Sequence, residues 1–195
     1  MRPYILFSLS LCMLLFMSCK QEKKETKSVL ENSKTEAAPK QIKKPLSPHT
    51  STMAMIDEAH IHIDYSSPGV RNRIIFGGLL AYDMIWQAGA HNATWIETNK
   101  DLTIDGKILP SGKYGFFTIP SKKEWIVIFN SNWNQHGKDD YDEKDDVLRF
   151  RVKPNISEEI TEHLEYKINK VESDKGVISL AWEKVSISFK FKVNQ

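Results

Sequence analysis

The sequence predicts an all-β domain, an antiparallel two-sheet β-sandwich with little helix. Three observations favour this class: repeated alternation of apolar and polar residues, a strong two-residue hairpin turn, and few helix signals. A jelly roll is one form that such a sandwich takes. The residues from His49 to Gln195 suffice for a single domain with a real core.

Alternation is clearest towards the end of the chain. Apolar residues stand two apart in Leu148–Val152, Leu164–Ile168 and Ile178–Trp182, with charged or small residues between them. Val185–Val193 repeats the pattern with serines and lysines in between. A period of two is that of a strand with one buried face, so four half-buried antiparallel strands are expected.

Earlier segments have the composition of shorter strands. They are Met53–Ile56, Ile61–Tyr65, Thr94–Thr98, Leu102–Ile104, Tyr114–Ile119 and Trp125–Phe129. Asp105-Gly106 predicts a type I′ hairpin turn, because that turn needs positive φ at both positions. Trp125–Phe129 is apolar throughout, which predicts a strand covered on both faces. Single helical turns are expected only at Ser157–Thr161 and Leu79–Trp86.

Residues 1–18 have the features of a signal peptide. Arg2 is followed by the apolar run Tyr4–Phe16, which is shorter than the roughly 20 residues of a membrane-spanning helix. A small residue directly before Cys19 resembles the lipobox of bacterial lipoproteins, which implies membrane attachment through lipid on Cys19. An ordinary signal peptide with an incidental cysteine is the alternative. Lys20 after the anchor resembles an outer-membrane sorting signal, so the expected location is the bacterial cell envelope.

Residues 19–48 are expected to hold the anchor and a disordered tether. After Cys19 there are eight lysines, four glutamates and three prolines but no aromatic residue, so the segment cannot bury enough apolar surface to fold. The tether carries +4; with Arg2 and a total of +2, residues 49–195 carry −3. A mildly acidic domain argues against nucleic-acid binding. The mature chain has no second cysteine for a disulfide, a thiolate metal site or a nucleophile.

The stretch Arg73–Thr94 combines glycines, aromatics and polar side chains without a strand or helix period. Such a composition is typical of a buried connection or of a binding-site wall. Its glycines are expected where the chain turns with positive φ or lies against another backbone. Phe76, Tyr82 and Trp86 would then belong to the core.

Several motifs resemble the domain-of-unknown-function 2911 family, whose members are mostly secreted or lipid-anchored proteins of Bacteroidetes and their relatives. The motifs are Ser47-Pro48-His49, Arg73–Leu79, Tyr82 and Trp86 with Gly89-Ala90, Ala93-Thr94, Leu109–Pro120, Trp125–Asn130, and Trp133 with Gln135 and Gly137. The resemblance covers essentially the whole globular part and implies a secreted β-rich domain without an established activity. The family usually reads Trp-Arg-Thr-Gly-Ala-Asn where this chain has Gln87-Ala88 for Arg-Thr and His91 near the usual Asn. A role that rests on that arginine would be lost or move to Arg71 or Arg73.

A paired-histidine metal site is one candidate. His60 and His62 lie two apart in a predicted strand, so both side chains point to one face, as paired ligands need. Asp64 extends that row, and His91 is a further candidate. The sequence fixes no third ligand, and solvent-facing histidines opposite a buried apolar face are the favoured interpretation. No metal and no other cofactor is therefore expected.

The loop Asn130–Asp146 holds an indole and several amides, which is how many sugar sites are built. The candidate ligand-binding residues are Trp86, Asn130, Trp133, Asn134, Gln135 and Tyr141. The acidic end of the loop could hold calcium, although the spacing of an EF-hand loop is missing. A polar surface loop with Trp133 as a plug is the alternative.

Common catalytic motifs are missing: there is no Gly-x-Ser-x-Gly elbow, no His-Glu-x-x-His and no glycine-rich phosphate loop. A hydrolase or isomerase would use Arg73, Tyr82, His91 and Tyr114. The favoured interpretation is a binding or accessory module for glycan or another envelope polymer. The enzyme and a purely structural envelope protein are the alternatives. Convergence of Arg73, Trp86, His91, Tyr114 and Asn130 on one concave surface would favour a functional site, and scatter among them would favour the structural protein.

Overall fold

A computed structural model describes residues 45–195, which form ten strands and one short 3-10 helix, Glu143–Asp145. The strands are β1 His49–Ile56, β2 Ala59–Ser66, β3 Trp95–Thr98, β4 Leu102–Ile104, β5 Lys107–Leu109, β6 Gly112–Ile119, β7 Trp125–Asn130, β8 Asp146–Val152, β9 Asn155–Lys170 and β10 Lys175–Val193. The predicted signal peptide, Cys19 and the tether before residue 45 lie outside the described residues. In the described part, no helix has the length and apolar character to cross a membrane.

The strands form two antiparallel sheets, which confirms the predicted all-β sandwich. The larger sheet has the order β1-β2-β3-β6-β7-β8, and the smaller one has the order β5-β4-β10-β9. Most neighbours are consecutive in sequence, so hairpins provide most of the connections. A jelly roll would instead be built from two Greek keys, so that form does not describe this order.

The main core lies between the two sheets and is rich in aromatic rings. Phe116 and Phe129 of the larger sheet pack against Phe189 of β10, with ring centroids 6.2 Å apart in both pairs. Phe150 of β8 completes the group at 5.1 Å from Phe189. All four side chains are buried, as the alternation of apolar residues in these strands predicts.

One strand is longer than the sequence pattern predicts. Ile178–Trp182 and Val185–Val193, expected as two strands, are both parts of β10. Irregular pairing with β9 surrounds Glu183, whose φ is 57°. This bulge adds a residue to one strand, so the buried positions change from even-numbered to odd-numbered residues. The break in alternation is therefore the sequence signal of the bulge.

The two predicted helical turns are wrong. Ser157–Thr161 belongs to β9, which pairs with β10 at Ile156 before this segment and at Thr161 at its end. Leu79–Trp86 forms turns whose backbone partners lie elsewhere: the Asp83 amide donates to Pro120, and Trp86 exchanges hydrogen bonds with Thr118 of β6. Long-range pairing thus overrides a weak local preference in both segments.

Two other local predictions are confirmed. Asp105 and Gly106, between β4 and β5, have φ values of 50° and 73°, as a type I′ turn requires. β7 is covered on both faces, because its odd-numbered residues enter the main core while Ile128 joins a second small cluster with Phe117 and Ala93.

The stretch Arg73–Thr94 crosses the core between the sheets, as one of its two interpretations predicts. Phe76 lies 4.9 Å from the Trp125 ring of β7, and Trp86 stacks on Trp182 of β10 at 5.8 Å. Gly78 allows the chain to turn back on itself, since a Cβ there would lie 2.4 Å from the carbonyl oxygen of Ile74.

Candidate functional site

A cleft of about 180 Å³ lies on the larger sheet, on the face turned away from the core. Three parts of the chain line it: β1 and β2, the segment that leads into β3, and the loop between β7 and β8. The lining residues with polar or aromatic side chains are His49, Asp64, Tyr65, Ser66, His91, Asn92, Trp95, Trp133, Asn134 and Gln135.

Strand register places the β1, β2 and β3 residues together. His49 pairs with Ser66 across β1 and β2, and Asp64 pairs with Trp95 across β2 and β3. These side chains share one face because Ile63 and Tyr65, between them in β2, enter the core. The His49 ring nitrogen Nε2 lies 2.8 Å from Asp64 Oδ1, and Asp64 is mostly buried. A carboxylate thus orients the imidazole at the mouth of the cleft.

The β7–β8 loop, residues 131–145, is held by Asn130. The buried Asn130 amide donates to the Asp142 carbonyl and to the Asp146 carboxylate, and its oxygen accepts from the Asn132 amide. Tyr141 donates to the other Asp146 oxygen at 3.0 Å. All polar atoms of the Asn130 side chain are therefore used inside the protein.

Burial dominates the ionisation of the Asp146 and Tyr141 pair. It raises the pKa of Asp146 above its usual 3.8, although hydrogen bonds from Asn130 and Tyr141 and the charge of Arg149 oppose this. It also raises the pKa of the Tyr141 hydroxyl, and the hydrogen bond to Asp146 adds to that rise. Tyr141 therefore stays protonated and acts as a donor within the loop.

The start of the β7–β8 loop lies directly on the larger sheet. Gly115 of β6 makes this possible, because a Cβ there would lie 3.3 Å from Trp133 Cα and 2.8 Å from the Phe117 ring. The Ala93 amide donates to the Gln135 carbonyl, and the Gly137 amide donates to the His91 carbonyl. These bonds join the loop to the segment before β3 and form one wall of the cleft.

His91 lies at the rim of the cleft in the left-handed region of backbone conformation. Its φ is 61° and its side chain is exposed, so the imidazole is available to solvent. Histidine is among the residues that adopt this conformation more often than most. Three residues earlier, the Ala88 carbonyl accepts hydrogen bonds from the Thr94 and Tyr166 hydroxyls, which hold this segment in place.

Residues 47–191 match the model of the family described as "Protein of unknown function (DUF2911)", which covers more than half of the chain. The chain belongs to this family. No curated protein and no solved structure matches it. The DUF2911 domain thus comprises both sheets and the whole cleft.

The cleft of this DUF2911 domain contains one of the four residues considered for catalysis, His91. The other three have different surroundings. Arg73 donates to the Val70 and Gly69 carbonyls, and Tyr82 lines a separate depression next to Phe76 and Trp125. The Tyr114 hydroxyl donates to the Pro110 carbonyl, and burial raises its pKa.

Three of the six residues considered for ligand binding line the cleft: Trp133, Asn134 and Gln135. The other three, Trp86, Asn130 and Tyr141, make contacts inside the protein. Trp86 is buried between the sheets, where its indole N–H donates to the Gly89 carbonyl. Gln135 itself is buried, and its side chain bonds to the Asn132 carbonyl and the Asp140 amide. Trp133 and Asn134 are the more accessible pair.

The row of His60 and His62 lies on the outer face, opposite the buried Ile61 and Ile63. The two imidazoles are 6.2 Å apart between ring centroids, and His62 packs edge-on against Trp95 at 5.0 Å. Among residues 45–195, no group of three or more His, Cys, Asp or Glu side chains is arranged to hold a metal ion.

Sequence reasoning missed His49 and Trp95, which both line the cleft. His49 was noted only within a family motif, and Trp95 only within a strand. Their place in the site depends on which residues face each other across strands, and the alternation pattern does not give that register. The row of His60, His62 and Asp64 was the available signal, since it marks the outer face on which the cleft lies.

A larger depression of about 610 Å³ lies near β8, but both of its arginines are already paired. Arg149 contacts the carboxylates of Glu143 and Asp146, and Arg151 pairs with Glu124 at 2.9 Å. Bound ligands would have to replace these ion pairs. The smaller cleft, which has accessible indole, amide and imidazole groups, is therefore the better candidate site.

Proposed function

We propose that this protein is a lipid-anchored module of the bacterial cell envelope, attached to the outer membrane through Cys19. Its cleft binds a saccharide segment of a glycan or of another envelope polymer. The export signal and the cysteine that follows it support the location. The cleft supports the binding role, and the observation that carries it is the pair Trp133 and Asn134.

Trp133 and Asn134 supply the two kinds of contact that a sugar ring needs. An indole packs against the apolar face of the ring, while an amide exchanges hydrogen bonds with the hydroxyls. Both residues lie on the cleft, and the side-chain hydrogen bonds that hold the loop come from Asn130 and Gln135 instead. At about 180 Å³ the cleft suits a small part of a ligand, such as one ring of a longer polymer.

Calorimetric titration of the full-length protein with purified envelope polysaccharides tests this proposal. We expect Trp133→Ala to weaken binding by about fivefold or more, since stacking on one aromatic side chain contributes about 1–3 kcal/mol per base in nucleic-acid complexes. Asn134→Ala should weaken it less. His136→Ala is the matched control, because His136 is exposed in the same loop but does not line the cleft. Equal affinity of Trp133→Ala and the native protein would refute the proposal and favour a structural role.

The anchor is tested separately from the cleft. Cys19→Ser should release the protein from the membrane fraction and abolish lipid labelling. Cys12→Ser is the matched control, because Cys12 lies inside the apolar run of the signal and is removed with it. Membrane attachment that survives Cys19→Ser would show that Cys19 is not the anchor.

A hydrolase or isomerase is the second candidate, because the cleft has an imidazole oriented by a carboxylate. The His49 and Asp64 pair is the arrangement of a general base, and His91 lies on the same cleft. An activity screen on envelope glycans tests it: His49→Ala and His91→Ala should each lower turnover at least tenfold, whereas His136→Ala should not. Turnover that none of these substitutions changes would exclude a catalytic role for the cleft.

A further inference from the structure

The ammonium group of Lys113 lies between two indole rings next to the cleft. Its Nζ atom is 3.4 Å from the centroid of Trp95 and 3.7 Å from that of Trp133. The two ring centroids are 6.4 Å apart, and we call this pair of rings the indole cage. Among the described residues, the Lys113 ammonium makes no ion pair and no hydrogen bond, so the rings are its main partners.

The surroundings of the indole cage favour a cation. Indole faces attract ammonium groups through the ring quadrupole, and the attraction grows when the pair is shielded from water. Two carboxylates lie on the same face of the sheet: Asp64 is the strand neighbour of Trp95, and Glu97 is the strand neighbour of Lys113. Asp64 also contacts His49, while Glu97 is exposed.

The Lys113 side chain has a second potential partner, the Glu97 carboxylate on the neighbouring strand. Residues directly opposite each other in an antiparallel pair have Cβ atoms about 4.5–5.5 Å apart. The flexible stem of Lys113 can therefore turn its ammonium from the indole cage to the Glu97 carboxylate. That movement would exchange one partner for another and leave both indole faces open.

We propose that the indole cage recognises an ammonium group of the ligand and that Lys113 occupies it as an internal competitor in the free protein. The inference rests on the proposed saccharide binding and names the ligand class: a glycan that carries free amino groups, as a deacetylated amino sugar does. On binding, the ligand ammonium replaces that of Lys113, which moves to Glu97. An amine of a lipid headgroup shares the chemistry and is distinguished by the test.

Calorimetric titration of the full-length protein compares three probes: a short glucosamine oligomer, its fully N-acetylated counterpart, and phosphoethanolamine. Lys113→Ala should tighten binding of the glucosamine oligomer about tenfold, or about 1.4 kcal/mol, because the competitor is gone. Binding of the N-acetylated oligomer should not tighten. Glu97→Gln should weaken binding of the glucosamine oligomer about twofold to fivefold, since an exposed ion-pair partner for Lys113 is lost.

Lys122→Ala is the matched control, because the Lys122 ammonium lies over the Tyr82 ring at 5.7 Å, outside the cleft. It removes the same charge and should leave all three affinities unchanged. Thermal melting of each variant verifies folding, and Lys113→Gln replaces Lys113→Ala if the latter melts early.

Unchanged or weaker binding of the glucosamine oligomer by Lys113→Ala would overturn the inference. The N-acetylated oligomer could bind as well as the glucosamine oligomer, with Trp133→Ala abolishing binding of both oligomers. That result would support saccharide binding and refute recognition of the amine. If Lys113→Ala raises the affinity for phosphoethanolamine more than the affinity for the glucosamine oligomer, the assignment of a saccharide ligand would be wrong. Failure of the native protein to bind any saccharide would instead remove the proposed function itself.

Discussion

Replacement of Asn130 should detach the β7–β8 loop from the sheet. Asn130 is fully buried at the end of β7, and its amide donates to the Asp142 carbonyl at 2.9 Å and to the Asp146 carboxylate at 2.8 Å. Asn130→Ala removes both donors and leaves a partly buried carboxylate without one of its partners. The expected result is lower stability together with a disordered cleft wall at Trp133.

The size of the effect follows from the partners that are lost. A hydrogen bond to a neutral carbonyl contributes about 1 kcal/mol to stability, and one to a carboxylate contributes about 2 kcal/mol. The expected loss for Asn130→Ala is therefore about 3 kcal/mol, or a melting temperature lower by about 6–12 °C for a domain of this size. Because the Asn130 hydrogen bond lowers the pKa of Asp146, the loss should shrink in acid, where Asp146 is protonated.

Urea unfolding followed by far-ultraviolet circular dichroism measures this loss. Asn132→Ala is the matched control, because Asn132 lies in the same loop but donates only one long bond, 3.2 Å, to the Asp140 carbonyl. The expected loss of stability for Asn132→Ala is below about 1 kcal/mol. A loss under 1 kcal/mol for Asn130→Ala, or one equal to that of the control, would refute the assignment of Asn130 as the residue that holds the loop.

Three other changes follow from packing and charge. Burial raises the pKa of Asp146 in the folded state, so the native state keeps this proton at higher pH than the unfolded chain does. The stability of the native protein relative to Asp146→Asn should therefore fall as pH rises from 3.8 through the raised pKa. Parallel pH profiles of stability for the two proteins would contradict this. Gly115→Ala should cost about 1–3 kcal/mol in urea unfolding and weaken saccharide binding, because its Cβ would push the Trp133 backbone off the sheet; unchanged unfolding would show that the loop yields freely. Trp86→Ala should cost about 3–5 kcal/mol, with no direct effect on ligand contacts, since Trp86 is buried against Trp182; a loss near zero would place it outside the core.

The strands could be predicted because a half-buried sheet imposes a period of two on the sequence. Leu148–Val152 falls within β8, and the apolar residues Leu148, Phe150 and Val152 form its buried face as predicted. Which strands become neighbours was not predictable in the same way. Ile178–Trp182 and the following strand form one continuous strand because of a bulge at Glu183. The pairing of β4 with β10 brings together residues that are far apart in the chain.

The candidate site was harder to predict, because residues of the same type occur both in the protein interior, as structural side chains, and on the surface, as candidate ligand contacts. Asn130 ends β7 and Asn134 lies in the loop that follows, yet Asn130 bonds to Asp146 and only Asn134 lines the cleft. Trp86 and Trp133 are both indoles, and one stacks on Trp182 inside the core. Long-range contacts decide these roles, and local sequence does not encode them.

The position of β10 also bears on how the chain folds. β10 lies between β4 and β9 in the smaller sheet, and the Leu102 to Val193 pairing brings β4 together with the last residue of the last strand. Until β10 has been synthesised, β4 and β5 have only each other as hydrogen-bonding partners in that sheet. Contacts between such distant segments form slowly, because a long loop must close before they are made. The nascent chain therefore remains open, with one face of the larger sheet uncovered, until its final strand is available to close the sandwich.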